Sequence, residues 1–192
     1  MLDLKLAKRI IGGDDFSNRA INLILENSEI GFIEFEVRGN EEILLILTHF
    51  NLAMPIDSIN DSLSWRNRIL SSSVKKLEIP YIIRLIFSEL KRGKSDIRYA
   101  VTKYFESIGE RRAEEFYEIL REIFERAENH LICGDEISRV SAKYNRDGGV
   151  VISELKGGGI ISPFSGCGSF ERKYGSPVYQ INRFIYEILK LD

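Results

Sequence analysis

Cysteine and histidine are scarce in this chain: Cys133, Cys167, His49 and His130 are the full complement in 192 residues. Two cysteines cannot build a disulfide scaffold, and two histidines beside them give no regular zinc-ligand spacing. No metal and no cofactor is therefore expected, and Cys133 reads as a small core residue. Long apolar runs are missing as well. None approaches the roughly 20 residues needed to cross a bilayer, and Met1 to Lys5 shows no basic region ahead of an apolar one. The expectation is a cytoplasmic protein with no membrane partner. Phosphate-binding signatures are also lacking. Gly12-Gly13 and Gly148-Gly149 each precede a helix, but neither stands in a Walker or dinucleotide pattern and neither has the lysine such a cradle uses. No nucleophile elbow accompanies His130, Cys133 or Cys167, so no catalytic residue is assigned.

What is present is an ordinary globular composition, 44% hydrophobic and 29% charged, with an uneven charge distribution behind a net charge of −2. Residues 1–62 carry five basic side chains against eleven acidic ones, a net of −6. Residues 66–109 carry ten against four, a net of +6. Opposite signs in neighbouring segments point either to different surfaces or to a match between them. From Arg139 to Lys190 the chain is basic again, eight against four.

Periodicity predicts a mainly helical α+β protein. Leu2 to Ile11 is helical up to Gly12-Gly13, and Asp14, Asp15 and Ser17 open the next helix. Between Gly31 and Gly39, Ile33, Phe35 and Val37 alternate with charged residues as a half-buried strand does. Asn40 is placed as the cap of a helix through Phe50, within which His49 reads as a buried, hydrogen-bonded residue. The stretch from Met54 to Ser73 is polar and reads as a linker, with Trp65 and Ile69 pinning a short helix. Pro80 opens a helix that Gly93 ends, and Ser95-Asp96 open one that Gly109 closes. From Arg112 to Glu128, Ala113, Phe116, Leu120, Ile123 and Ala127 recur at steps of three and four and predict one long helix with a continuous seam. That seam packs either within its own domain or in a homodimer.

The order that follows carries a resemblance. Leu131-Ile132-Cys133 is a short strand, and Asp135 caps a helix bearing Ile137, Val140 and Ala142. Tyr144 to Asp147 turn the chain, and Gly148 to Lys156 form a second helix with Val150, Val151 and Leu155 inward. Gly157-Gly158-Gly159 then lead to Ile160-Ile161-Ser162-Pro163, a glycine-rich hairpin, Val178-Tyr179-Gln180-Ile181 and a last helix with Ile185, Ile188 and Leu189. This resembles the winged helix-turn-helix superfamily over the C-terminal third. The resemblance implies that the second helix of the pair enters a major groove of double-stranded DNA while the wing reaches the backbone. The residues it nominates for nucleic-acid binding are Lys143, Asn145 and Arg146 at the turn, Lys156 at the helix end, and Arg172 with Lys173 on the wing.

Three segments are thus expected: 1–62, an acidic helix-strand-helix unit; 63–109, a linker and basic helical pair; and 110–192, the winged-helix-like domain. The function expected is DNA binding in transcriptional control, as a dimer through the 112–128 helix. The glycine- and valine-rich second helix has little polar reach, which keeps open a protein-docking module without DNA binding. An enzyme with a pocket between the two halves is the remaining alternative.

Overall fold

Asp14 accepts the backbone N–H of Ser17 at 2.7 Å and so starts the first long helix, as its position after two glycines predicts. Local signals of this kind set most of the architecture. The computed structural model describes residues 3–59, 63–93, 96–164 and 175–191. Among these residues are nine α-helices and two small antiparallel sheets, the mainly helical α+β class expected from the sequence. No helix among them is long and apolar enough to cross a membrane.

Helices α1 (Leu4–Ile10) and α2 (Asp15–Asn27) precede strand β1 (Phe32–Glu34), and α3 (Glu41–His49) follows it. The alternation read from Ile33, Phe35 and Val37 holds, since all three are buried while Glu34 and Glu36 are exposed. Asn40 stands at the start of α3 without capping it. Its side-chain oxygen accepts from Arg19 and its amide donates to Glu36 O, so the cap role is displaced by those bonds. His49 is exposed at the end of α3, not buried. Strand β2 (Met54–Pro55), a 3-10 turn at Trp65–Asn67 and β3 (Lys76–Glu78) come next. Strand β3 is the centre of the first sheet, in the order β1-β3-β2, with Ile33 opposite Leu77 and Met54 opposite Glu78. This sheet therefore draws strands from both sides of residue 62.

Helix α4 (Tyr81–Lys91) starts directly after Pro80, and α5 (Ile97–Ser107) is capped by Asp96, which accepts from Tyr99 N at 3.3 Å. Ser95 lies outside the described residues. The long helix expected over 112–128 is shorter. Arg112 is left-handed (φ 57°), a 3-10 turn covers Ala113–Glu115, and α6 runs Phe116–Glu125. Asn129 and His130 are left-handed too and steer the chain into β4 (Leu131–Cys133). The seam of Ala113, Phe116, Leu120 and Ile123 is buried in the chain's own core, with Phe116 stacked on Phe105 at 3.5 Å between ring centres. It is not the surface on which a second copy would pack.

Helices α7 (Gly134–Lys143) and α8 (Gly148–Gly157), strands β5 (Ile161–Pro163) and β6 (Val178–Ile181), and α9 (Arg183–Leu191) complete the chain. The second sheet has the order β4-β6-β5. Asp135 sits in the first turn of α7 without capping it. The leading N–H groups of that helix go instead to Pro177 O (from Gly134) and Ser176 Oγ (from Asp135). On α7 the buried positions are Gly134, Ile137, Val140 and Ser141, with Ala142 exposed, and on α8 Val151 and Leu155 are buried while Val150 is 52% exposed.

One polar joint ties residues 50–51 to the C-terminal sheet and helix. Asn182, fully buried, donates to Asn51 O at 3.0 Å and to Gly159 O at 3.2 Å and accepts from Ile185 N at 3.3 Å, which caps α9. Asn51, also buried, accepts from Arg183 N at 3.1 Å, and Phe184 N donates to Phe50 O at 3.1 Å. Asn182→Ala removes a cap and leaves the buried Asn51 carbonyl and the part-buried Gly159 carbonyl short of a donor. It is expected to cost about 2–4 kcal/mol, read as the urea midpoint at constant slope. A loss below about 0.5 kcal/mol would show that the joint is not a structural constraint.

Candidate nucleic-acid interface

The turn between α7 and α8 carries three of the residues nominated for nucleic acid, and the structure gives each a different place. Lys143 is bound to the Glu122 carboxylate on α6, and Lys143, with Arg126 behind it, holds Glu122 below the usual carboxylate range. Asn145 is exposed in the left-handed conformation that ends α7, its own N–H going to Ala142 O and that of Arg146 to Ser141 O. Asn tolerates that conformation, so the turn itself explains the residue.

Arg146 is turned inward. Its side chain is 10% exposed, paired with the Glu110 carboxylate and 3.6 Å from Glu115 Oε2. It also donates to Arg111 O at 2.7 Å and Arg112 O at 3.2 Å, and its guanidinium lies 4.2 Å from the centre of the Phe116 ring. A planar five-donor group suits this work, joining the entrance of α6 to the turn before α8. The arginine expected to read bases thus fastens the helical pair to the rest of the chain.

Beside it on α8 stands the carboxyl of Glu154, which titrates together with Glu110. Burial first, and the Glu110 partner second, push Glu154 up to about 7. Burial also acts to raise Glu110, but the hydrogen bonds with Glu154 and Arg146 outweigh it and leave that carboxyl below its ordinary value. Below about pH 7 the two acids therefore hold one proton between them.

The N-terminus of α8 is already satisfied: Asp147 accepts from Val150 N at 2.9 Å. Gly148 is there because α7 passes so close that a side chain would meet Ser138 at under 3 Å. The residues exposed on the first turns of α8 are Gly149, Val150 and Ser153, none of them charged.

Lys156, near the end of α8, is different. It lines a groove of about 510 Å³ that runs from α8 and β5 to β1 and the start of α4, together with Trp65, Arg68, Tyr81 and Arg84. Arg66, next to Trp65, lies with its guanidinium 4.7 Å from the centre of the Phe164 ring, at the base of the hairpin that follows β5. Arg172 and Lys173, the wing residues, lie outside the described residues, as does Cys167.

Among the described residues, Arg66, Arg68, Arg84 and Lys156 form no ion pair with a carboxylate, and Glu78 is the only acid lining the groove. By contrast, Lys91, Arg92, Arg98 and Lys103 of the same basic segment are paired, to Glu29, Glu89, Glu118 and Glu106. Only the Lys91–Glu29 pair, at 3.8 Å, joins the acidic 1–62 segment to residues 66–109 among the described residues. Arg84 is held in place by the carbonyls of Ser28 and Glu29 at the end of α2, which accept without cancelling its charge. The 66–109 charge excess was legible in the sequence. Its convergence with Lys156 on one groove was not, because it depends on which cations α6 and its neighbours neutralise.

His130 Nε2 lies 3.2 Å from Glu187 Oε1, and its ring packs on Tyr186 at 4.6 Å. Among the described residues no group of three acids, histidines or cysteines is arranged to hold a metal.

The Glu154 shift has a sign that can be checked. Its folded value lies above the ordinary 4.5, so the folded chain holds the proton more tightly. That contribution is complete below the unfolded value and is lost as pH rises through about 7. Glu154→Gln is expected to remove this loss, so the variant should gain thermal stability over wild type between about pH 5 and 8. A wild-type-to-variant difference that stays constant across this range would contradict the shared proton.

Comparison with known proteins adds one assignment. No curated protein and no solved structure matches the chain. One protein-family model matches residues 5–192, and the chain belongs to that family over nearly its whole length.

Proposed function

We propose that this chain is a winged-helix protein that binds double-stranded DNA in transcriptional control, held by phosphate contacts along the groove beside α8. The reading is supported first by order: α6, β4, α7, α8, β5, β6 and α9, with β6 central in the small sheet. The observation that carries it is a set of cations without a carboxylate partner among the described residues: Arg68, Arg84 and Lys156 line the groove beside α8, and Arg66 lies on Phe164 just after β5. Phosphates recruit such cations through counterion release and need no base-specific geometry. Since Arg146 is occupied internally and the first turns of α8 are uncharged, base-edge contacts are few and sequence selectivity is low.

A second reading, a protein docked on α8, is favoured by the exposed Val150 and by exposed Leu63 near the groove. An apolar contact of that kind is insensitive to salt, whereas phosphate contacts are not.

The test is binding of a random-sequence duplex between about 50 and 200 mM salt. Wild type is expected to lose affinity steeply. The double change Arg66→Gln with Lys156→Gln should weaken binding and make the log–log salt slope shallower by about 2, one unit for each lost phosphate contact. Arg146→Lys, which keeps a cation in the internal site, should leave DNA affinity unchanged. No binding at low salt, or binding indifferent to the double change, would refute the DNA reading; the former would leave docking as the better account.

A further inference from the structure

A second cavity, of about 560 Å³, opens on the other side of Trp65, between the end of α3 and the start of α9. That volume is ordinary for a small-molecule site. Its apolar wall is made by Leu45, Phe50, Met54 and Leu70, and Leu45 and Leu70 stay 55% and 53% exposed at the rim. The charged lining is of one sign: Arg66, Arg68 and Arg183, with no carboxylate among the described residues that line it.

Two of these arginines have unspent donors. The Nε–H groups of Arg68 and Arg183 are buried and meet no acceptor, so neither guanidinium is fully used by the chain's own groups. Arg68 is fixed by its Nη1 donating to Ile56 O at 2.6 Å. Arg183 is fixed by its backbone N–H on Asn51, and its Nη1 lies 3.0 Å from His49 Nδ1. Partial desolvation, and then repulsion from Arg183, lower the His49 imidazole below its ordinary value.

We propose that this cavity binds a small organic anion with an apolar body, its carboxylate or sulfonate held by Arg68 and Arg183 and its body lying against Leu45, Phe50 and Leu70. Neither the winged-helix reading nor DNA binding is required for it. Arginine beside an apolar wall selects such a molecule over both an inorganic anion, which leaves the wall wet, and a neutral apolar one, which leaves the guanidinium groups unpaired.

Trp65 lines the cavity and is the only tryptophan in the chain, so its emission reports occupancy. The full-length protein is titrated with phenylbutyrate, and with phenylbutanol as the uncharged probe of the same shape. Phenylbutyrate is expected to give a saturable change at an affinity about tenfold or more above that of phenylbutanol, the scale of one charge-assisted contact. Arg183→Gln should weaken phenylbutyrate about tenfold and leave phenylbutanol unchanged. Leu45→Asp, on the exposed rim and away from the Asn51 bonds, should weaken phenylbutyrate more than phenylbutanol and serves where Arg183→Gln does not fold. Equal affinity for the two probes, no saturable change in wild type, or variants that bind phenylbutyrate as wild type does would each overturn the assignment.

Discussion

The buried amide of Asn182 meets three constraints with one side chain, and the geometry of the two cavities depends on them. It caps α9, closes the end of the Gly159 turn and bonds the backbone of Asn51 after α3. Neither sheet has a strand longer than four residues among those described, and sheets of that size are marginal without a shared core. The core is shared: Ile24, Ile43 and Leu77 of the N-terminal elements and Leu155, Ile181 and Phe184 of the C-terminal ones belong to one buried cluster. Apolar contact supplies the bulk of the stabilisation without direction. The Asn51–Asn182 bonds supply direction, fixing where α3 ends relative to α9 and thus how wide the clefts beside Trp65 stand.

Charge is sorted on the same scaffold. Helix α6 presents Glu118 and Glu122 to Arg98, Arg121, Arg126 and Lys143, and the entrance of that helix takes Arg146 through Glu110 and Glu115. Most of these pairs are exposed and contribute little to stability. Their effect is to use up the positive charge of the α6–α7 face. Around Trp65, Arg66, Arg68, Arg84, Lys156 and Arg183 have no carboxylate partner among the described residues, and Arg68 lines both cavities, so the proposed DNA groove and the proposed anion site share a wall. A small net charge is compatible with a basic surface when the neutralisation is this uneven.

Capping residues and long alternating segments were the legible part of the sequence. Asp14, Asp96 and Pro80 stand at the helix starts read for them, and the Ile33-Phe35-Val37 face is buried as its period requires. Strand β3 escaped because Lys76-Leu77-Glu78 is too short for a period of two to stand out, and its pairing with β1 is a long-range fact. The 112–128 helix was read too long because its apolar spacing continues through positions whose backbone is set by Arg112, Asn129 and His130 in left-handed conformations. The site residues were harder. An arginine in a turn looks the same whether it faces solvent or a pair of glutamates 31 to 36 residues earlier, and Arg146 does the latter. Lys156 stands in the last turn of its helix as read, but Arg68 and Arg84 join it in the groove only through tertiary packing.

The central claim is that duplex DNA lies along the Trp65 groove, away from the Arg146 turn. The most direct measurement is the emission of Trp65 as a duplex is added at low salt, recorded alongside the anisotropy of a labelled end of the same DNA. The account predicts that both signals change together and saturate at the same DNA concentration. Anisotropy that rises while Trp65 emission stays constant would put the DNA on another face and contradict it.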